Sequence, residues 1–309
     1  MSTHSVIELW KVRDVGDVLN VTFEFIRQNY KTLGKSLLFI VGPVTALTMA
    51  GVTMMIFGIG TLDSTNAADG VLSVGLLGMG FLLLMTFGII LQVLPSLVVN
   101  AFGVLYQDHG PGVVEVADVW HLSKRRFWAF LGALILIGIM GVVIGAISII
   151  PCLGAIVYLI GSFYIAVTFS LVYPMLMRER IGVFDALSRC VKLVKSSWWA
   201  TCGVVFLANF IYIMAIGICF VPLLLASTVA DFNDLDFFES GYFQVVLVLV
   251  GVVGLLVFVL LRAVPELAVM FQYFNLVERK ERPGLMAQID AIDPSDAPDT
   301  LSPDNPFDP

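Results

Sequence analysis

Residues 71–107 read VLSVGLLGMGFLLLMTFGIILQVLPSLVVNAFGVLYQ, 37 positions without one formal charge. A bilayer core needs about 20 apolar residues per helix, so this run is long enough to cross and continue. The rest of the chain has the same character. Of 309 residues 59% are hydrophobic and only 13% are charged, against roughly 25% charged in a soluble domain. A large part of the surface must therefore face something apolar. The fold class expected is all-α, a polytopic transmembrane helical bundle.

Working outward, six runs of spanning length stand at about 36–60, 71–95, 127–150, 155–177, 198–224 and 243–264. Six spans put segments 61–70, 151–154 and 229–242 on one side, and these contain no Lys or Arg. Sixteen of the 17 basic residues fall on the other side, Arg262 being the exception. The positive-inside rule makes that side cytoplasmic and predicts a multi-pass cell (inner) membrane protein with both termini inside. An odd span count would scatter the same charges over both faces. The net charge of −7 therefore misleads as an average, and nothing points to nucleic acid. Three regions follow: an N-terminal segment 1–35 with no cleavable signal, a membrane domain 36–282, and a tail 283–309. The tail holds six prolines, six acidic residues and no basic residue, a composition expected to stay disordered.

The cytoplasmic segments are patterned. In 15–31, Val15, Val18, Leu19, Thr22, Phe25 and Ile26 repeat at helical spacing opposite Asp17, Asn20, Glu24 and Arg27. Phe184, Leu187, Val191 and Val194 repeat the pattern beside Arg189, Lys192 and Lys195. A shorter version runs through Val113, Val116, Val119 and Trp120 into Lys124, Arg125 and Arg126. Helices of this kind are expected at the membrane interface, with basic residues near lipid phosphates. Each leads into a hairpin, which suggests three units at 16–106, 112–177 and 182–277. Pro95 and Pro265 sit about one membrane thickness into overlong apolar runs and predict kinks after which the helix continues.

Few residues carry chemistry. Arg262 and Glu266, four apart on one helix face, are the ionisable pair within an apolar stretch. Two readings fit them: a site for a substrate or a lipid headgroup, or a pair that snorkels to the interface. Gln92, Asn100 and Asn209 are expected as buried amides, either coordinating a solute or hydrogen-bonding between helices. Gly132, Gly138, Gly141 and Gly145, with Gly251 and Gly254, suggest close helix packing. Cys152, Cys190, Cys202 and Cys219 lie too far apart for a metal site, and a Cys152–Cys219 bond or free thiols both remain open. His4, His109 and His121 are scattered, and no nucleophile–base set or nucleotide loop is present. No catalytic residue, metal or cofactor is expected.

Residues 174–182 read PMLMRERIG, followed by Phe184-Asp185-Ala186-Leu187-Ser188-Arg189, Leu193-Val194-Lys195 and Trp198-Trp199. This resembles the bacterial glycerophosphoryl diester phosphodiesterase membrane-domain family, over about 15–277. In that family a proline-ended span, an acidic residue, a glycine and an amphipathic helix precede a tryptophan-led span. Some relatives carry a soluble phosphodiesterase barrel; this sequence has none, so the resemblance implies only a membrane module linked to lipids. The expected function is a non-catalytic module, lipid-associated or an accessory to a membrane partner. Its partners would be anionic inner-leaflet headgroups, met by Arg189, Lys192, Lys195, Arg262 and Glu266, and a protein reached through the acidic tail. The alternative is a transporter or channel, which a water-filled cavity at Gln92, Asn100 or Asn209 would favour.

Overall fold

The computed structural model describes residues 7–62, 67–110, 112–147, 153–232, 251, 253–254 and 257–290. Nine helices are named among them: α1 (Val15–Gly60), α2 (Ala67–His109), α3 (Val116–Ile147), α4 (Leu153–Phe169), α5 (Val172–Arg178), α6 (Val183–Val194), α7 (Trp198–Phe232), α8 (Ala263–Glu281) and α9 (Pro283–Asp290). Six helical stretches are long and apolar enough to cross a membrane, the last being Val257–Glu281. The chain is an all-α, multi-pass membrane bundle. Most of the expected sixth span, and Cys152, lie outside the described residues.

Amphipathic and spanning segments merge. α1 has 46 residues, about 69 Å at 1.5 Å per residue, more than twice a hydrocarbon core of about 30 Å. Its first four turns bury Val18, Thr22 and Phe25 completely. The partner of that apolar face is protein: Phe25 packs edge-on against Phe102 and Tyr106 of α2 and Phe271 of α8, at centroid distances of 6.0, 4.8 and 5.6 Å. The third unit differs, because its amphipathic helix α6 stops before Trp198 begins α7. Ser197 makes that break, its carbonyl accepting from the backbone N–H of Thr201 at 3.0 Å.

Burial divides the molecule along its length. The most apolar window of α2 is only 6% buried and that of α3 only 11%, whereas that of Val257–Glu281 is 72% buried. Every residue of α8 from Ala263 to Glu278 is buried. The core therefore lies where α1 begins, α2 and α5 end and α8 runs, here called the basic end. The opposite halves of the hairpins present side chains such as Val71, Val142 and Leu159, each at least 67% exposed, as surfaces in contact with lipid must.

Proline sets the breaks. Its ring clashes with the carbonyl four residues earlier. Pro174 thus interrupts the fourth span at Ser170–Leu171, separating α4 from α5, and Pro265 interrupts the last at Arg262. Pro95 leaves α2 helical through to His109. Gly110 (φ 86°) then closes α2 and Gly112 (φ 80°) turns towards α3, left-handed conformations that suit residues without a Cβ.

The expectation of close packing at glycines holds in part. Gly251 meets it, a Cβ there standing 2.9 Å from the end of Met49, but Gly138 and Gly141 face open space, and a Cβ on Gly145 would meet only Tyr158 at 3.8 Å. Close approach is also found at Gly51, Gly58 and Gly80, which join α1 to α2; a Cβ on Gly80 would stand 2.7 Å from the Gly51 carbonyl oxygen. Of the tail, Pro283–Asp290 forms α9, whose start is capped by the Glu278 carboxylate accepting from the backbone N–H of Gly284 (2.7 Å) and Leu285 (3.2 Å). The rest of the segment expected to be disordered lies outside the described residues.

A Cβ on Gly103 would meet the Met270 thioether, but that is the far end of a flexible side chain, whereas the backbone facing Gly80 cannot swing aside. Gly80→Ala is therefore expected to destabilise the detergent-solubilised protein by roughly 1–3 kcal/mol, and Gly103→Ala by less. Thermal unfolding followed by circular dichroism checks the order; a larger loss at Gly103 would refute it.

Candidate functional site

α8 carries Glu266, Gln272, Asn275 and Glu278 into the core, and each finds a partner. Gln272 Nε2 donates to Thr201 Oγ1 at 3.2 Å. Asn275 clasps the backbone of Arg13 from both sides: it accepts from the Arg13 N–H at 3.0 Å and donates to the Arg13 carbonyl at 2.9 Å. The neighbouring Tyr273 donates its hydroxyl to Glu179 at 2.9 Å. These contacts fix α8 against α7, the N-terminal strap and the α5–α6 turn. They use up its polar groups below the first turn.

The first turn is different. Arg262 Nε and Glu266 Oε1 pair at 3.1 Å, their side chains 29% and 11% exposed. They line a cavity of about 200 Å³ with Ser170 and Tyr173 from the α4–α5 break, Asn209 from α7, and Pro265 and Val269. Ser170 and Asn209 return one hydrogen bond each to their own helices, to Val167 and Val205. Two proline-broken helices thus face one polar cavity, because the same ring clash that interrupts each helix also opens space beside it. Ala166 on the rim is exposed, and on α7 the exposed Phe206 and Phe210 stack next to Asn209.

The cavity collects Arg262, Glu266 and Asn209 from the residues singled out by sequence. The others lie elsewhere. Gln92 is exposed on α2 rather than buried, since it falls off the α2 face that carries Val93, Leu94 and Leu97 inward. Asn100 is fully buried; its amide donates to the Ser96 carbonyl at 2.7 Å, and its own carbonyl oxygen lacks a protein partner. Lys192 and Lys195 are exposed on and just after α6. Arg189, expected at a lipid headgroup, instead sits between Glu179 (2.7 Å) and Glu281 (2.8 Å). Burial opposes its charge, but these two carboxylates outweigh burial and raise its pKa. Arg189 is a cross-brace holding α6 to α5 and α8. Ser170 and Tyr173 carried no signal of their own, although Pro174 four residues beyond Ser170 marks the break that exposes them.

Among the described residues no group of three or more His, Cys, Asp or Glu side chains could hold a metal ion. No family model matches this chain, and neither the curated proteins nor the solved structures contain a match.

Arg262→Met alone leaves Glu266 charged and unpaired in a buried position. It is expected to cost towards the lower end of the roughly 3–5 kcal/mol seen when one partner of a buried pair is removed. Adding Glu266→Gln should recover part of that loss in thermal unfolding, and a double variant no more stable than the single would disprove the coupling.

Cys190, buried on α6, has its thiol pushed up to about 12 by burial first and by Glu179 second. Because the thiolate is the nucleophile, raising the pKa removes reactivity below that value. At pH 8 thiolate is a fraction on the order of 10⁻⁴, by the four-unit gap. Cys190 should resist maleimide in the folded protein and react once Arg189→Ala loosens α6. Peptide mass spectrometry reads both, and rapid labelling of the unaltered protein would show that α6 is not docked.

Proposed function

We propose that this chain is a non-catalytic membrane module that takes the polar headgroup of a lipid into the cavity at Arg262 and Glu266. The observation that carries this reading is a charged, 200 Å³ cavity whose rim includes exposed residues of membrane-spanning helices. A lipid in the surrounding leaflet reaches such a rim by sliding sideways. The guanidinium offers donors to phosphate beyond the one used by Glu266. Tyr173 and Asn209 add a hydroxyl and an amide carbonyl for glycerol or other headgroup oxygens. The sorting of basic residues puts this end at the cytoplasmic leaflet of the cell membrane. The resemblance carried by residues 174–199 points the same way, towards lipids.

One observation favours a second reading, passage of a small polar solute. Broken helices facing each other across a polar cavity are a recurrent feature of transporters, and this cavity reaches Asn209. Against passage stands the far half of the bundle. There α2 and α3 present apolar side chains outward and α1 packs on α2 through Gly51 and Gly80, which is apolar packing rather than a continuation of the polar cavity among the described residues.

Native mass spectrometry of the protein in lipid nanodiscs tests the choice. A phospholipid retained by the unaltered chain should be lost at least tenfold in the double variant Arg262→Gln, Glu266→Gln, which keeps shape and neutralises both charges together. Equal retention in a variant that stays folded would overturn the headgroup site. Solute flux into vesicles that depends on Asn209 would establish passage instead.

A further inference from the structure

A second groove, remote from the Arg262 cavity, lies between α1, α2 and α3. It encloses about 350 Å³, within the size range of ligand pockets. Its floor and walls are aliphatic, with Ile40 and Val44 from α1 and Ile90 and Leu94 from α2. From Leu97 to Ile90 the groove descends about 10 Å along α2 at 1.5 Å per residue, away from the basic end. At the top stand Trp120, Ser123 and Lys124 of α3, with Trp128 one turn lower. The lining is thus graded, from charge through hydroxyl and indole to pure hydrocarbon.

Two observations bear on what the top of the groove can hold. Ser123 is 1% exposed and lines the cavity, yet its hydroxyl has no hydrogen-bond partner. An unpartnered buried hydroxyl costs free energy unless something outside the protein supplies the bond. Lys124, Arg125 and Arg126 make none of the ion pairs found among the described residues. Arg126 also feels the like charge of Arg180. Glu115, just before α3, and Asp118, in its first turn, do not pair with them. Lys124 lines the groove with Arg125 and Arg126 next to it in sequence, while Trp120 and Trp128 are 47% and 76% exposed, as indoles at a headgroup boundary are.

We propose that this groove seats one acyl chain of a phospholipid with an anionic headgroup, its phosphate held by the Ser123 hydroxyl and the Lys124 ammonium. The chain descends past Leu94 towards Val44 and fills a space that would otherwise be empty. Arg125 and Arg126 select for net negative charge without entering the groove. The occupant belongs to the surrounding leaflet and adds to the side-chain packing of Ile40, Leu94 and Leu97 that already joins α1 to α2 at this level.

The experiment places the full chain in nanodiscs of phosphatidylcholine with a minor share of phosphatidylglycerol. It then counts the lipids retained by native mass spectrometry. The unaltered protein should keep phosphatidylglycerol about tenfold above its share. Lys124→Gln, at an exposed position, should abolish most of that enrichment. Ser123→Ala removes only an unpartnered hydroxyl, so it should leave thermal stability in lipid-free detergent unchanged or improved while lowering retention several-fold. Arg262→Gln with Glu266→Gln should leave this enrichment intact, which separates the groove from the other cavity. Undiminished enrichment in both the Lys124 and Ser123 variants overturns the proposal, as does retention of phosphatidylcholine at the same level.

Discussion

Asn275 reaches across 262 positions of sequence to hold the backbone of Arg13 by two hydrogen bonds, and the architecture depends on the helix that carries it. α8 is enclosed on all sides by other helices. A helix can be enclosed with polar residues on it only if each polar group is matched. Here the matching is distributed: Gln272 to α7, Asn275 to the N-terminal strap, Tyr273 to the α5–α6 turn, Glu278 to α9. Each bond is modest alone, about 1 kcal/mol net, but together they specify one position and one rotation for α8. The Phe25 cluster then packs against a surface already fixed.

This explains why the molecule is dense at one end and open at the other. Lipid tails are as apolar as leucine, so the distal halves of α2 and α3 gain little by leaving lipid for protein. In that half α1 and α2 come closest where small residues permit backbone contact, at Gly51 and Gly80. Towards the basic end, by contrast, Arg189 with its two carboxylates and the capped α9 supply directed bonds. The cavity at Arg262 lies at the junction of these regimes, where two proline breaks leave room that neither tight packing nor lipid-facing helix fills.

Much of the frame was legible in the sequence because charge and length are read directly from it. The runs of apolar residues and the absence of basic residues from three connecting segments suffice for six spans. What was not legible is which apolar face meets lipid and which meets protein, since Val18 and Val142 are the same residue in opposite surroundings. The amphipathic pattern of 15–31 was visible, but not its partner. For the same reason Gln92 and Asn100, alike by position in an apolar run, separate into exposed and buried. Arg189 shows a further limit: its neighbours Glu179 and Glu281 lie ten residues before it and 92 after, and only the fold brings them together. Pro265, however, marked one of the two breaks beside the cavity in advance, whereas Pro174 reads only as the end of a span.

The position of α8 in the chain bears on biogenesis. Membrane segments emerge and insert in order, the first ones well before the last is made. Here the last long helix is the one around which the earlier ones are organised. Until it arrives, Phe25 has only its α2 partners Phe102 and Tyr106 and the backbone of Arg13 lacks its clasp, so the nascent protein waits in the bilayer with its core incomplete. Assembly is therefore a terminal event, coupled to completion of synthesis rather than spread along it. A product halted before residue 263 would lack α8 and leave the backbone of Arg13 and the hydroxyl of Thr201 without their α8 partners.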